Sequence, residues 1–206
     1  MQLVIGNKNY SSWSLRPWLA MKMLGLAFDE VRISLYGPGS KERILAHSPA
    51  GRVPILKDDG MLVWDSLAII EYLAERYPQL WPRDRIDRAR ARSISAEMHS
   101  GFTALREHMS MNVRKRYPGK GRTPEVEKDI ARISAIWAEA RGPFLFGEFT
   151  AADAMYAPVV LRFRTYGVEG ANRRYREAVL ALPAMREWIE AAEREGEAIP
   201  ELDLYG

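Results

Sequence analysis

The sequence contains 206 residues, of which 47% are hydrophobic and 28% are charged, and its formal net charge is +3 at pH 7. These values are ordinary for a globular protein that buries its core in one large domain or two small ones. The sequence has no cysteine, which excludes disulfide bonds, a cysteine nucleophile and thiolate metal sites.

Three further features of the sequence limit the range of functions. No run approaches eighteen apolar residues and the N-terminus lacks a secretory signal pattern, so we expect a cytoplasmic protein without membrane association. The three histidines are too widely spaced to suggest a metal site, so we expect no metal. The basic cluster at 114–122 contains Pro118, Gly119 and Gly121, which favours a solvated loop over a nucleic-acid site.

Residues 1–77 alternate between strand and helix patterns. Short apolar or alternating runs predict strands, and apolar residues at helical spacing predict helices. The resulting order is β-α-β-α-β-β-α, which predicts an α/β domain. The predicted elements are a strand at 3–5, a helix at 15–24, a strand at 31–35, a short helix around 44–45, two strands at 53–56 and 61–64, and a helix that begins at Ser66.

The pattern changes after residues 78–82, a segment with two prolines that we predict to be a linker. Residues 83–206 show helical spacing throughout, which predicts an all-helical domain. Thr150 and Asp153 have the spacing of a capping box, so a structural role at a helix start is predicted for Asp153. One long helical stripe is predicted through Met98, Phe102, Leu105, Met109 and Val113.

The segment at 9–19, which connects the first strand to the first helix and includes the start of that helix, has the densest group of polar residues that could form a binding or catalytic site. Ser11, Ser12 and Ser14 lie in the predicted turn, and Arg16 follows them. The first turn of a helix presents unpaired N–H groups and the positive end of the helix dipole, which stabilise an anion and favour ionisation of a thiol. Ser14 is placed to be the N-cap of this helix.

Four stretches, in this order and at this spacing, resemble the cytosolic glutathione transferases across essentially the full sequence. The resemblance implies a thioredoxin-like domain at 1–77, an all-helical domain at 83–206 that carries the electrophile pocket, and a homodimer. Each motif is weak alone, and the four together make a strong signal. The stretches are residues 11–16 (SSWSLR), 48–56 (SPAGRVPIL), 65–73 (DSLAIIEYL) and 149–153 (FTAAD).

The resemblance implies a glutathione site in the first domain. In the family the proline of the second stretch is cis, which at Pro54 would present the N–H and C=O of Val53 to an extended peptide. Asp65 suits the ammonium and Ser66 the carboxylate of the γ-glutamyl end, although Ser66 has an alternative interpretation as a helix N-cap. The candidates for the glycyl carboxylate are Arg52 and Lys41.

The resemblance to zeta- and tau-like members assigns thiol activation to Ser11, with Arg16 assisting it. Ser12 is the close rival, and Tyr10 is a more distant candidate because other classes use a tyrosine. The electrophile pocket is expected between the domains, with walls formed by Trp13, Met98, Phe102, Arg106 and Met109.

Three functions are compatible with these residues. The first is a glutathione S-transferase that ionises its co-substrate glutathione for attack on a small electrophile in detoxification. The second is a glutathione-dependent cis-trans isomerase of the maleylacetoacetate type, in which Arg162 or Arg164 binds a substrate carboxylate. The third is a non-catalytic binding or regulatory protein, against which the complete set of site residues argues.

Overall fold

The computed structural model describes residues 1–205, and Gly206, the last residue of the predicted helical domain, lies outside the described residues. The first part of the protein contains a four-stranded sheet. Its strands are β1 (Gln2–Ile5), β2 (Asp29–Arg32), β3 (Ile55–Asp58) and β4 (Met61–Val63). They are arranged in the order β2-β1-β3-β4, with β1 parallel to β2 and antiparallel to β3, and β3 antiparallel to β4.

Three helices accompany the sheet and the remaining helices follow it. Helices α1 (Ser12–Met23), α2 (Ser40–Leu45) and α3 (Ser66–Arg76) complete the predicted order β-α-β-α-β-β-α, and a single 3₁₀ turn at Pro78–Leu80 comes next. The thioredoxin-like and all-helical fold class is therefore confirmed. The later helices are α4 (Arg85–Ser100), α5 (Thr103–His108), α6 (Pro124–Ala138), α7 (Ala151–Tyr166), α8 (Arg173–Ala181) and α9 (Pro183–Arg194).

The single long helix predicted from Met98 to Val113 is wrong, because α4 ends at Ser100. A Cβ on Gly101 would lie 2.8 Å from the Glu97 carbonyl oxygen, and Phe102 has a φ of 58°, in the left-handed region. The backbone thus turns sharply here before α5 begins. Met98, Phe102 and Met109 are all buried in the core on either side of this turn.

Helix α8 is absent from our sequence-based prediction. Only Tyr175 and Val179 of its nine residues are buried, and three arginines share the same segment. Two apolar anchors are too few to produce a recognisable helical stripe. The helix is positioned instead by packing on α7 and α9.

Helix α7 is the centre of the helical part, and all of its residues except Arg164 are buried. Its start is fixed by the predicted capping box, in which Asp153 accepts hydrogen bonds from the backbone N–H groups of Thr150 (2.8 Å) and Leu145 (3.0 Å). The helix packs against both α1 and α4. It therefore brings Arg162 close to the serine motif at the start of α1. Within residues 1–205, none of the helices is both long and apolar enough to cross a membrane.

Candidate active site

A cavity of about 1090 Å³ lies between the sheet-containing part and the helical part. The sheet-containing part contributes the serine turn (residues 11–14), the start of α2, the segment before β3 and the start of α3. The helical part contributes residues of α4, α5 and α7 and of the segment that follows α9. Lining residues used below are Tyr10, Ser11, Ser12, Trp13, Lys41, Arg52, Val53, Pro54, Asp65, Ser66, His99, Arg106 and Arg162.

The serine turn places the N-terminal end of α1 at the cavity. Ser11 is the N-cap residue, and its side chain makes no capping hydrogen bond. Its Oγ lies 2.7 Å from the Oγ of Ser14, which accepts a hydrogen bond from the N–H of Gly6 at 3.1 Å. The predicted N-cap role of Ser14 is therefore wrong. Ser14 lies inside the first turn of α1, and its hydroxyl ties that turn to Gly6, the residue that follows β1.

Tyr10 also borders the cavity, but its hydroxyl is already engaged by the C-terminal segment. The hydroxyl donates to Oδ1 of Asp203 at 2.9 Å and accepts from the N–H of Ile199 at 3.2 Å. The guanidinium of Arg114 is also within hydrogen-bond distance, at 3.4 Å. These partners hold the hydroxyl in a structural network. Ser11 and Ser12 are therefore the better candidates to donate a hydrogen bond to the thiol of a ligand.

At the start of α3, Asp65 caps the helix and the adjacent Ser66 has a free hydroxyl within the described residues. Asp65 is the N-cap, and its Oδ1 accepts from the N–H groups of Leu67 (3.0 Å) and Ala68 (3.2 Å). The alternative interpretation of Ser66 as the N-cap is therefore wrong. Ser66 is the first helical residue, is fully buried, and its Oγ has no hydrogen-bond partner within residues 1–205. A buried hydroxyl without a partner is costly, which makes it a good position for a ligand oxygen.

His99 of α4 completes this corner of the cavity. Its Nε2 lies 3.0 Å from Oδ2 of Asp65, the oxygen that does not cap α3. Its ring also contacts Trp13 edge-to-face, with centroids 5.3 Å apart. From the sequence we expect His99 to take part in a polar contact, as it does, but its place in the cavity wall beside Asp65 was not predicted, because a single histidine 34 positions after Asp65 gives no local signal.

The segment before β3 supplies the opposite wall. The peptide bond between Val53 and Pro54 is cis, as the family resemblance implies. Val53 lies outside the hydrogen-bonded ladder of β3. Lys41 and Arg52 both border the cavity near this segment, and Nζ of Lys41 donates to the carbonyl of Gly51 at 3.2 Å.

Two arginines of the helical part contribute cationic groups to the wall. Arg162 is only 6% exposed, and it donates to Oγ of Ser12 at 3.2 Å and to the carbonyl of Met109. Arg106 donates to the carbonyl of Gly101 at 3.0 Å. Neither guanidinium forms an ion pair with a carboxylate in the described part of the protein.

The burial of these arginines leaves their charges incompletely compensated. Burial, together with the nearby charge of Arg106, lowers the pKa of Arg162 to about 9. Burial also lowers the pKa of Arg106 and holds the pKa of Arg16 well below its usual range. A bound anion would stabilise the charged form of each group, so the wall favours a negatively charged ligand.

Of the remaining predicted residues, some line the cavity and others do not. Trp13 and Arg106 line it as expected, with the guanidinium carbon of Arg106 4.7 Å from the Trp13 ring centroid. Arg16 lies behind the indole, 4.2 Å from the same centroid, and is not in the lining. Met98, Phe102 and Met109 are core residues rather than walls, because their side chains are buried in the hydrophobic cluster and none of the three lines the cavity.

No group of three or more metal-ligating side chains occurs within residues 1–205. The site consists of hydroxyls, one carboxylate, one imidazole and several cations around a helix N-terminus. Such a set can hold a zwitterionic peptide and stabilise an anion beside the serine turn.

Two family models match the sequence. The model of the glutathione S-transferase N-terminal domain covers residues 10–76, and that of the C-terminal domain covers residues 83–191. The maleylacetoacetate isomerase of Rattus norvegicus is 32% identical over 168 residues, which is 77% of this chain and 76% of that protein. The glutathione S-transferase GstB of Escherichia coli K12 is 27% identical over 209 residues, which is 91% of this chain and 97% of that protein.

Solved structures share the same fold. A glutathione transferase homologue from Burkholderia gl BGR1, with bound glutathione, has a TM-score of 0.71 at 26% identity and covers 94% of this chain and 98% of its own. The zeta-class maleyl pyruvate isomerase has a TM-score of 0.72 at 22% identity, covers 96% of this chain and 100% of its own, and shows the shared fold. The protein therefore belongs to the glutathione S-transferase family, and its activity is that of a glutathione transferase or a related enzyme.

Proposed function

We propose that the protein is a glutathione S-transferase that binds glutathione along the first domain and ionises its thiol at the serine turn. The observation that carries the proposal is the buried, unpartnered hydroxyl of Ser66 in the wall of the same cavity as Ser11 and Ser12. A relative of known structure in this family holds glutathione. The same ligand in this cavity would supply the missing partner of Ser66.

The residues around the cavity match the three parts of glutathione. We assign the γ-glutamyl carboxylate to Ser66 and the ammonium to Asp65, whose side chain is 53% exposed. The backbone of Val53, before Pro54, would pair with the central cysteinyl residue. Arg52 and Lys41 would hold the glycyl carboxylate.

The thiol would then lie at the start of α1. An unperturbed thiol has a pKa of about 8.5, so only about 3% is ionised at pH 7. One hydrogen bond to a charged group contributes about 1.5–3 kcal/mol, or about one to two pKa units. The hydroxyls of Ser11 and Ser12, with the helix dipole, would therefore ionise half or more of the bound thiol. Arg16, behind Trp13, would add its field without touching the sulfur.

A titration of the bound thiol tests this function. Thiolate absorbance of glutathione bound to the wild type should show a pKa well below that of free glutathione. Ser11→Ala should raise that pKa by about one to two units while affinity, measured by calorimetry, stays nearly unchanged. Failure of the wild type to bind glutathione would overturn the proposal, as would unchanged thiol pKa values in both Ser11→Ala and Ser12→Ala.

A second candidate is the glutathione-dependent isomerase of the maleylacetoacetate type. It is favoured by the cations of Arg106 and Arg162, which form no ion pair with a carboxylate of residues 1–205, and by the name of the rat relative. Arg164 is not in the cavity lining and is the weaker candidate. In this case Arg106→Met should raise KM for a carboxylate-bearing electrophile more than for its methyl ester. Equal changes for the two substrates would exclude a carboxylate-binding role.

Several finer points remain predictions. Binding of glutathione without turnover of standard electrophiles would favour the non-catalytic alternative over a role in detoxification. Sedimentation would check the homodimer, and cell fractionation would check the cytoplasmic location. We retain residues 1–77 and 83–206 as the proposed domains, joined by residues 78–82.

A further inference from the structure

We infer that Arg162 acts through the Ser12 hydroxyl to favour the ionised thiol of bound glutathione, an inference that rests on the proposed function. Arg162 belongs to α7 and Ser12 to α1, 150 positions apart in the sequence. The family resemblance and the motif spacing assign thiol activation to the serine turn and Arg16. The contribution of a distant arginine follows only from the contact between the two helices.

The direction of the hydrogen bond between these side chains is fixed by their chemistry. A guanidinium has only donors, so Nη2 of Arg162 must donate to Oγ of Ser12 across the 3.2 Å that separates them. The single proton of the serine hydroxyl is then free to point elsewhere. It has no acceptor within residues 1–205, and Ser12 borders the cavity. A thiolate beside the serine turn would be that acceptor.

Ser11 differs from Ser12 in this respect. Its Oγ shares a hydrogen bond with Ser14, and either hydroxyl can be the donor. Both partners are neutral, so this pair brings no formal charge to the turn. The bond from Arg162 polarises the Ser12 hydroxyl and places a cation directly behind it.

The surroundings of Arg162 preserve the effect of its charge. Arg162 and Ser12 are each 6% exposed, so solvent screens the pair weakly. The charged or titratable groups near Arg162 are the cation of Arg106, the phenol of Tyr166 and, further along α1, Arg16. No carboxylate of the described residues pairs with it. A cation within about 4–6 Å of an acidic group typically lowers the pKa of that group by about one unit or more.

The test is a titration of the thiol of bound glutathione in the absence of any electrophile. Binding of an electrophile's carboxylate by Arg162 then cannot contribute to the result. Arg162→Met and Ser12→Ala should each raise the pKa of the bound thiol by about one unit. The double variant should raise it no further than the larger single shift, because both changes remove the same interaction. Arg164→Met, on the same helix but outside the cavity lining, is the matched control and should leave the thiol pKa unchanged.

Arg162 is buried, so Arg162→Lys provides a second variant that keeps the charge. It should shift the thiol pKa by less than Arg162→Met does, and this shift should vanish in the Ser12→Ala background. An unchanged thiol pKa in both Arg162 variants would overturn the inference. So would shifts of Arg162 and Ser12 variants that add in full. In either case a low thiol pKa in the wild type would leave the proposed function intact, whereas a normal thiol pKa in the wild type would contradict both.

Discussion

Nε2 of His99 lies 3.0 Å from Oδ2 of Asp65, so a residue of the helical part holds the carboxylate that we assign to the γ-glutamyl ammonium. The other oxygen of Asp65 caps α3. One residue therefore links a helix cap, an inter-domain contact and a ligand site. Its cap and charge roles can be separated by substitution.

Asp65→Asn should weaken glutathione binding while leaving stability nearly unchanged. Asparagine caps helices about as well as aspartate but carries no charge for the ammonium. Asp65→Ala should lose the cap as well, at a cost of about 0.5–2 kcal/mol in the free energy of unfolding. Calorimetry with glutathione and with an analogue lacking the amine would measure the charge effect. If Asp65→Asn still discriminates between the two thiols as the wild type does, Asp65 is not the ammonium partner.

Ser66→Ala should weaken glutathione binding by about 10- to 100-fold, the value of a hydrogen bond to a charged group. Because the Ser66 hydroxyl has no partner within residues 1–205, its removal should not lower stability. Ser95→Ala is a matched control, since Ser95 is also fully buried with an unpartnered Oγ but lies outside the cavity lining. The glutathione affinity of Ser95→Ala, measured by calorimetry, should equal that of the wild type. Equal affinities for Ser66→Ala and the wild type would place the ligand carboxylate elsewhere.

Local sequence patterns were sufficient to predict the order of elements in residues 1–77, although β2 and β3 each begin two residues away from their predicted starts. The strands and helices of this segment follow short-range periodicity, and the stretches at 48–56 and 65–73 lie where the pattern places them. The prediction failed where the outcome depends on a single backbone position, as at Gly101 and Phe102. It also failed for α8, whose two buried residues give too weak a periodic signal.

The candidate site was predictable only where its residues are close in sequence. Ser11, Ser12, Asp65 and Ser66 belong to short motifs, and the structure brings them to one cavity. Contacts between distant segments left no such pattern. The partnership of Tyr10 with Asp203, for example, depends on how the C-terminal segment packs over the serine turn.

Tyr10→Phe should lower stability without changing the pKa of the bound thiol. The hydroxyl bonds to Asp203 and Ile199, so its loss should cost about 1 kcal/mol, the typical net value of such hydrogen bonds. Urea unfolding would measure the stability, and thiolate absorbance would measure the pKa. Ser11→Ala provides the comparison, with a raised thiol pKa expected. A thiol pKa raised in Tyr10→Phe by as much as in Ser11→Ala would instead assign the activation of the thiol to the tyrosine.

The last prediction concerns Asp153, whose burial raises its pKa from 3.8 to about 6 despite the hydrogen bonds from Thr150 and Leu145. An acid with a raised pKa binds its proton more tightly in the folded state than in the unfolded state. Its contribution to stability is therefore fully present below pH 3.8 and is lost as the pH rises through about 6. A difference of about two pKa units corresponds to about 3 kcal/mol.

The stability difference between the wild type and Asp153→Asn should therefore shrink as the pH rises from 4.5 to 7, because asparagine does not titrate. Urea unfolding at several pH values would measure it, and the lost capping-box acceptor should appear as a constant offset. Asp84, an exposed N-cap, is the control with the opposite sign. Hydrogen bonds from the Asp87 and Ile86 N–H groups lower its pKa, so the advantage of the wild type over Asp84→Asn should grow as the pH rises toward and through 3.8. A pH-independent difference for Asp153→Asn would mean that Asp153 has the same pKa in the folded and unfolded states, its hydrogen bonds offsetting its burial.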